Sequence, residues 1–332
     1  MSEPLVVIDD ASDPDPQGTK FLGLAVAPDG TLVYSRRQTH ETSRLAWLEP
    51  GGDPELLPFP ARQLESLSLA PDGRSVVASS LEDGTFVIRI FDLATGSDDR
   101  VNLTGSNRKA HWAPDGSGFA FLSIRRGDFD VYFKDVITDG PERPLWTSGT
   151  DERAFGWSAD GTEVLVWETQ SSGESWLKRL PLDPEGESGV LSKSPGLSAA
   201  TVSGDGKWLA FSRRTTGRQE IYVQAYPGPA AAVRASRQGG LAPAWSSDGL
   251  LLYFTRGDDV IALDFRTEGP RFIPGNETVV ATAPLGYLEE PLIVTEGPRF
   301  LVPIRTEDSQ RPELQVVLNW NRAVQQLMET RD

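Results

Sequence analysis

Residues 110–136, AHWAPDGSGFAFLSIRRGDFDVYFKDV, carry three short apolar runs around the tetrapeptide Ala113-Pro114-Asp115-Gly116. The proline presets φ near −65° at the first turn position, aspartate tolerates the second, and glycine accepts the left-handed φ that reverses a strand tightly. The tetrapeptide is therefore a turn between two strands. With Ala110–Ala113 before it, Phe119–Ile124 and Asp130–Val136 after it and Arg143–Thr147 beyond, the stretch reads as one unit of four strands.

The same turn recurs along the chain. APDG, APDG, APDG, SADG, SGDG, SSDG and TEGP place glycines at Gly30, Gly73, Gly116, Gly161, Gly206, Gly249 and Gly297, at intervals of 43, 43, 45, 45, 43 and 48 residues. That period belongs to four-stranded propeller blades. Second strands follow the other tokens at Leu32–Ser35, Val76–Ser79, Val164–Trp167, Trp208–Ser212, Leu251–Thr255 and Phe300–Ile304. Third strands are expected at Leu45–Leu48, Phe86–Leu93, Trp176–Leu180, Ile221–Tyr226, Val260–Phe265 and Leu314–Leu318. None has helical periodicity.

Seven tokens predict an all-β fold, a seven-bladed β-propeller of four-stranded antiparallel blades over residues 1–319. The seventh repeat has only three strands, so Leu5–Ile8 is expected beside Leu314–Leu318, closing the ring and removing an exposed edge. Six blades plus an extension is the alternative. Residues 320–332, with Ala323, Val324, Leu327 and Met328 at helical spacing, read as a short helical tail.

Composition limits function. The chain has 48 acidic and 32 basic residues, a net charge of −16, which repels phosphate backbones and anionic membranes. Nucleic acid is not an expected partner. No stretch approaches 18 apolar residues, and MSEPLVVIDD lacks the basic start and apolar run of a signal peptide, so membrane insertion by this chain is not expected. The absence of cysteine excludes disulfides and thiolate chemistry without fixing a compartment.

Catalytic signatures are sparse. His40 and His111 lie in different repeats, with no second histidine at metal-ligand spacing. GLSAA at Gly196–Ala200 lacks the closing glycine of a nucleophile elbow. The pairs Asp13/Asp15, Asp98/Asp99 and Asp258/Asp259 lack the register of a calcium loop and read as solvated turn residues. No cofactor and no metal are expected.

Trp112, Trp157 and Trp245 share one column of the repeat, where other repeats place Val26, Leu69, Val202 and Val294, and read as inter-blade core. The residues one before that column are Ala25, Ser68, His111, Gly156, Thr201, Ala244 and Ile293. Those three before it are Gly23, Ser66, Lys109, Ala154, Ala199, Ala242 and Pro291. Strict alternation puts both columns on one side of the innermost strands, where crowding at the axis favours small residues. Lys109 and His111 break the pattern together. With Glu65, Arg108, Arg153, Glu289 and Glu290 at the starts of these strands, they form the candidate ligand-binding set at the channel mouth. The same residues also read as ordinary loop charges and an inter-blade histidine.

HWAPDGSGFAFLSIRRGDFDVYF (His111–Phe133) and VSGDGKWLAFSRRTTGRQEIYVQAYPG (Val202–Gly228) resemble blades of the TolB-like, WD-repeat-like bacterial propellers, and the resemblance covers the whole chain. A narrower resemblance, to the C-terminal propeller of bacterial serine/threonine protein kinases, rests on Ala27–Arg37 (APDGTLVYSRR), Ser236–Gly249 (SRQGGLAPAWSSDG), Gly269–Glu277 (GPRFIPGNE) and Val316–Trp320 (VVLNW) in that order. The resemblance implies a non-catalytic ligand-sensing or protein-interaction module, the sensory or scaffold domain of a bacterial signalling protein. Its expected partner is a protein or a small polar ligand. It would be extracytoplasmic if excised from a membrane-spanning kinase and cytoplasmic otherwise. This chain lacks the kinase domain and membrane helix, and the family shares no catalytic residues to carry over. A hydrolase or lyase with its site at the channel mouth is the alternative.

Overall fold

The computed structural model describes residues 24–26, 32–35, 42–125, 129–147, 151–169, 174–182, 186–193, 197–215, 217–228, 231–286, 292–295, 297, 299–306 and 314–317. The chain divides into two compact units, Ser43–Arg305 and the flanking segments Met1–Thr42 with Thr306–Asp332.

In chain order the first strands are β1 (Leu24–Val26), β2 (Leu32–Ser35), β3 (Ser43–Leu48) and β4 (Glu55–Leu56). Five contiguous antiparallel sheets follow. Blade one is β5 (Leu64–Leu69), β6 (Ser75–Glu82), β7 (Thr85–Asp92) and β8 (Asp98–Arg100). Blade two is β9 (Ser106–Trp112), β10 (Gly118–Ile124), β11 (Phe129–Asp135) and β12 (Arg143–Trp146). Blade three is β13 (Asp151–Trp157), β14 (Glu163–Thr169), β15 (Ser175–Pro181) and β16 (Gly189–Lys193). Blade four is β17 (Leu197–Val202), β18 (Trp208–Thr215), β19 (Arg218–Ala225) and β20 (Val233–Arg234). Blade five is β21 (Leu241–Trp245), β22 (Leu251–Arg256), β23 (Asp259–Glu268) and β24 (Arg271–Thr282). The last strands are β25 (Ile293–Val294), β26 (Phe300–Arg305) and β27 (Leu314–Val317).

The propeller has six four-stranded blades, not seven. Its sixth blade is assembled from both flanks of the ring, in the order β25-β26-β3-β4, with Phe300 opposite Leu48 and Arg305 opposite Ser43. The seven-bladed expectation failed because two third strands exchange partners. It paired β2 with β3 and β26 with β27, whereas β2 pairs with β27, from Leu32 opposite Val317 to Ser35 opposite Leu314. The hairpin β1–β2 therefore belongs to a separate three-stranded sheet, β1-β2-β27, in the other unit. Closure by the N-terminal strand is corrected likewise: β3 and β4 complete the last blade. Leu5–Ile8 and the helix expected over residues 320–332 lie outside the described residues.

Contacts between innermost strands run β5, β9, β13, β17, β21, β25 and back to β5, so the ring is closed. Six apolar clusters fill the spaces between successive blades. In one of them Leu45 and Leu301 of blade six pack with Leu67, Val76 and Phe91 of blade one. Phe119, Phe121, Phe211, Phe254 and Phe300 are fully buried, each contributing on the order of 1.5–3 kcal/mol of transfer free energy.

The recurrent turns form as their residues dictate. Gly73, Gly116, Gly161, Gly206 and Gly249 adopt φ of 67–71°, and each donates its N–H to the carbonyl three residues earlier at 2.8–3.0 Å. The preceding aspartates accept backbone N–H groups two residues on, as Asp115 does from Ser117 at 2.9 Å. These carboxylates serve the turn.

Candidate functional site

The innermost strands carry a repeated irregularity that alternation alone does not reveal. The register shifts between Leu64 and Ser66 in β5, opposite Ala120/Leu122 in β9, between Glu152 and Phe155 in β13, Ser198 and Ala200 in β17, and Leu241 and Ala244 in β21. Each is a bulge, in which extra backbone on the innermost strand opposes one residue of its neighbour. Lys109, Ala199 and Ala242, all from one column, take left-handed φ of 56°, 43° and 55°. Small residues thus recur there partly because the bulge tightens the backbone. The bulge also breaks the two-residue period, so Lys109 and His111 do not simply share a face of β9.

Crowding accounts for the other column. A Cβ on Gly156 would stand 3.3 Å from the Ala200 carbonyl of the next blade. The tryptophans behave as inter-blade core: Trp112 and Trp245 are buried, and Trp157 packs edge-on against Phe133 with centroids 6.3 Å apart. Their indoles also tie neighbouring blades, Trp157 Nε1 donating to the His111 carbonyl at 3.2 Å and Trp245 Nε1 to that of Thr201 at 3.3 Å.

Four candidate residues gather where blades one and two meet. Arg108 Nε donates to Glu65 Oε2 at 2.9 Å, and its Nη2 reaches Oε1, giving a two-point ion pair between β9 and β5. The guanidinium lies over the Phe86 ring at 4.4 Å, a cation–π contact. Behind the pair runs a hydroxyl chain. Ser66 and Ser79 Oγ are 2.7 Å apart, Ser79 Oγ donates to Glu65 Oε2 at 3.4 Å, and the Lys109 backbone N–H donates to Ser79 Oγ at 3.3 Å. Because Ser79 gives its proton to Glu65, Ser66 supplies the proton between the two serines. Lys109 is 3% and His111 8% exposed.

Arg153 lies on β13; Glu289 and Glu290 lie outside the described residues, as does His40. Of the acidic pairs, Asp13/Asp15 lies outside the described residues, Asp98 holds Arg62 and Arg89, and Asp258 holds Arg305 at 2.8 Å. Among the described residues no three His, Cys, Asp or Glu side chains come together as metal donors. Among the same residues no helix is long and apolar enough to cross a membrane. Two polar clusters escaped the sequence reading. Buried Glu220 accepts from Ser236 Oγ at 2.6 Å and the Gly239 N–H at 3.0 Å, and Tyr226 donates its hydroxyl to Glu163 at 2.7 Å across blades three and four. Burial, and then the hydrogen bond to Glu163, raise the Tyr226 hydroxyl well above the ordinary tyrosine value. Neither cluster breaks a repeated column strongly enough to announce itself.

No protein-family model matches the sequence, and no curated protein matches it. Solved structures do. A protein of Agrobacterium tumefaciens assigned as TolB aligns over 80% of this chain and 99% of its own, with a TM-score of 0.62 and 18% identity. TolB from Acinetobacter baumannii aligns over 88% and 80%, at 0.54 and 16%. An oligogalacturonate lyase from Vibrio parahaemolyticus aligns over 90% and 82%, at 0.52 and 11%. At such identities the likeness establishes the propeller fold, with TolB-like structures among its neighbours. Binding proteins and enzymes share that fold.

Proposed function

We propose that this chain is a non-catalytic binding propeller, a ligand-sensing or protein-interaction module whose contact region is the junction of blades one and two. The observation that carries this reading is the Glu65–Arg108 ion pair beside Lys109 and His111 at one junction, the last two in positions where other blades place small or apolar residues. A polar or anionic group suits the site, because Lys109 and Arg108 bring positive charge to it. The narrower likeness to kinase-attached propellers makes a sensory or scaffold role in a bacterial signalling protein the natural setting.

The internal commitments of the site favour binding over turnover. Glu65 is held by Arg108 and Ser79, which occupy the oxygens a general base would use. A small-molecule and peptide screen by thermal shift, followed by Lys109→Ala with His111→Ser, tests the reading. A ligand that loses at least tenfold in affinity supports the site, and undiminished affinity moves it elsewhere. Saturable turnover of esters, lactones, glycosides or phosphopeptides that disappears in Glu65→Gln would replace the binding reading with the hydrolase or lyase alternative.

A further inference from the structure

Blades two and four carry the same guanidinium–tyrosine stack and neutralise it differently. The ladder pair Phe121–Tyr132 of blade two recurs as Phe211–Tyr222 in blade four. Over each tyrosine lies a guanidinium 3.7 Å from the ring centroid, from Arg125 in the first and Arg213 in the second. In blade two the charge is met within the chain, since Arg125 Nη2 donates to Glu142 Oε1 at 2.9 Å. Blade four brings no such acid to its stack. Glu220, opposite Arg213 in the ladder, gives one oxygen to Arg218 at 2.6 Å and the other to Ser236 and Gly239.

The outermost strand adds charge instead of removing it. Arg234 of β20 stands directly opposite Tyr222. Residues opposite one another in a ladder, and those two apart along a strand, share a face, so Arg213, Tyr222 and Arg234 lie on one side of the sheet. That side meets blade three, because Phe211 and Tyr222 pack with Leu165, Trp167, Leu177 and Leu191. Arg214, opposite Gln219, lies on the other side. Among the described residues neither Arg213 nor Arg234 has a carboxylate partner, and Glu163 of blade three is committed to Arg179 and Tyr226. Arg234 is exposed and Arg213 half-buried. The Tyr222 hydroxyl lies 3.2 Å from Thr215 Oγ1. Burial opposes its ionisation, yet hydrogen bonds from Thr215 and Arg213 and the charges of Arg213 and Arg234 hold it below the ordinary tyrosine value, as a positive potential at that oxygen requires.

We propose that Arg213, Arg234 and the Tyr222 hydroxyl bind a small oxyanion of the phosphate class on the blade-three side of blade four, in the role that the Glu142 carboxylate fills in blade two. Two guanidiniums facing no carboxylate favour a doubly charged group, and a stacked guanidinium keeps its N–H edge open while its face rests on the ring. The phenol supplies a further donor. The net charge of −16 selects against long polyanions, so the ligand is a free ion or a small ester. The site is separate from the junction of blades one and two.

The test is titration calorimetry of the full chain with inorganic phosphate and with glycerol phosphate, against sodium chloride at matched ionic strength. Wild-type protein is expected to bind saturably. Arg213→Gln with Arg234→Gln is expected to weaken binding at least tenfold, and Tyr222→Phe, which keeps the ring under Arg213, about fivefold. Arg214→Gln, the same charge loss on the opposite side of the sheet, is expected to stay within twofold. Arg234 is exposed, so Arg234→Gln alone, with an expected loss of at least threefold, keeps the test readable should replacement of Arg213 disturb folding. Tighter binding of glycerol phosphate identifies an ester as the source and tighter binding of inorganic phosphate the free ion, and each supports the site. Absence of saturable wild-type binding by either phosphate, undiminished binding in the double variant, or an equal loss in Arg214→Gln would overturn the proposal.

Discussion

The junction of blades one and two and the junction of blades four and five use one backbone device and fill it differently. In both, the innermost strand carries a bulge, at Lys109 in β9 and at Ala242 in β21, with φ of 56° and 55°. At the first the bulge stands among Glu65, Arg108, Ser66 and Ser79, linked by hydrogen bonds and an ion pair. At the second the positions equivalent to Ser66 and Lys109 are Ala199 and Ala242, which bring no hydrogen-bonding side chain to the bulge. Framework belongs to the backbone, and chemistry to the side chains mounted on it.

The largest contrast is expected on deleting one partner of the polar network. Glu65→Ala removes an ion-pair partner of the part-buried Arg108 and should lower stability by about 1–3 kcal/mol in denaturant titration. Adding Arg108→Ala should recover part of that loss in a double-mutant cycle. Independent, additive losses would mean that the two charges are not coupled.

Serines sharpen the comparison next. Ser79 is buried and bonded to Ser66, Glu65 and the Lys109 N–H, so Ser79→Ala should cost about 1–2 kcal/mol. Ser212 in blade four is as buried, but its hydroxyl has no hydrogen-bond partner among the described residues, and Ser212→Ala should be neutral or stabilising by up to about 1 kcal/mol. Equal costs at the two sites would erase the distinction between the junctions.

Backbone relief is smaller still. Ala199→Gly and Ala242→Gly remove a left-handed penalty of roughly 1–2 kcal/mol per residue while adding about 0.5–1 kcal/mol of chain entropy. Each should therefore stabilise slightly, by about 0.5 kcal/mol, as read by melting temperature. A clear loss would show that the methyl groups pack more than the bulge strains.

The turn aspartates of blades three and four share one response to pH. Hydrogen bonds from Ser158 and Ser203 are the foremost cause of the lowered carboxyl values of Asp160 and Asp205. A folded value below the ordinary 3.8 means that their stabilisation is present above that pH and is lost as pH falls through the folded value. Ser203→Ala should move the acid-unfolding midpoint slightly upward. An unmoved midpoint would remove the Ser203 bond from the account.

How far these features were legible follows from how local each one is. The turns were readable because Pro, Asp and Gly encode them within four residues, and most strands because their apolar runs are continuous. Strand partners across the closure were not. β2, β3, β26 and β27 are all short apolar runs after similar loops, so nothing in their alternation distinguishes β2–β3 from β2–β27 pairing. Lys109 and His111 stood out as exceptions in two columns. Their burial was hidden, because a bulge changes the direction of a side chain without leaving a residue signature as strong as glycine.

The closure of six blades through β3 and β26 sets the register in which every junction is compared. The chain has no cysteine, so a pair introduced at Ala46 and Val302, directly opposite across that ladder, reports on it without background. Mild oxidation, or a short thiol cross-linker, applied to Ala46→Cys with Val302→Cys is expected to join the two residues, with peptide mapping showing the 46–302 link. Failure to join them, together with efficient cross-linking of Tyr34→Cys to Leu45→Cys, would contradict the six-bladed closure.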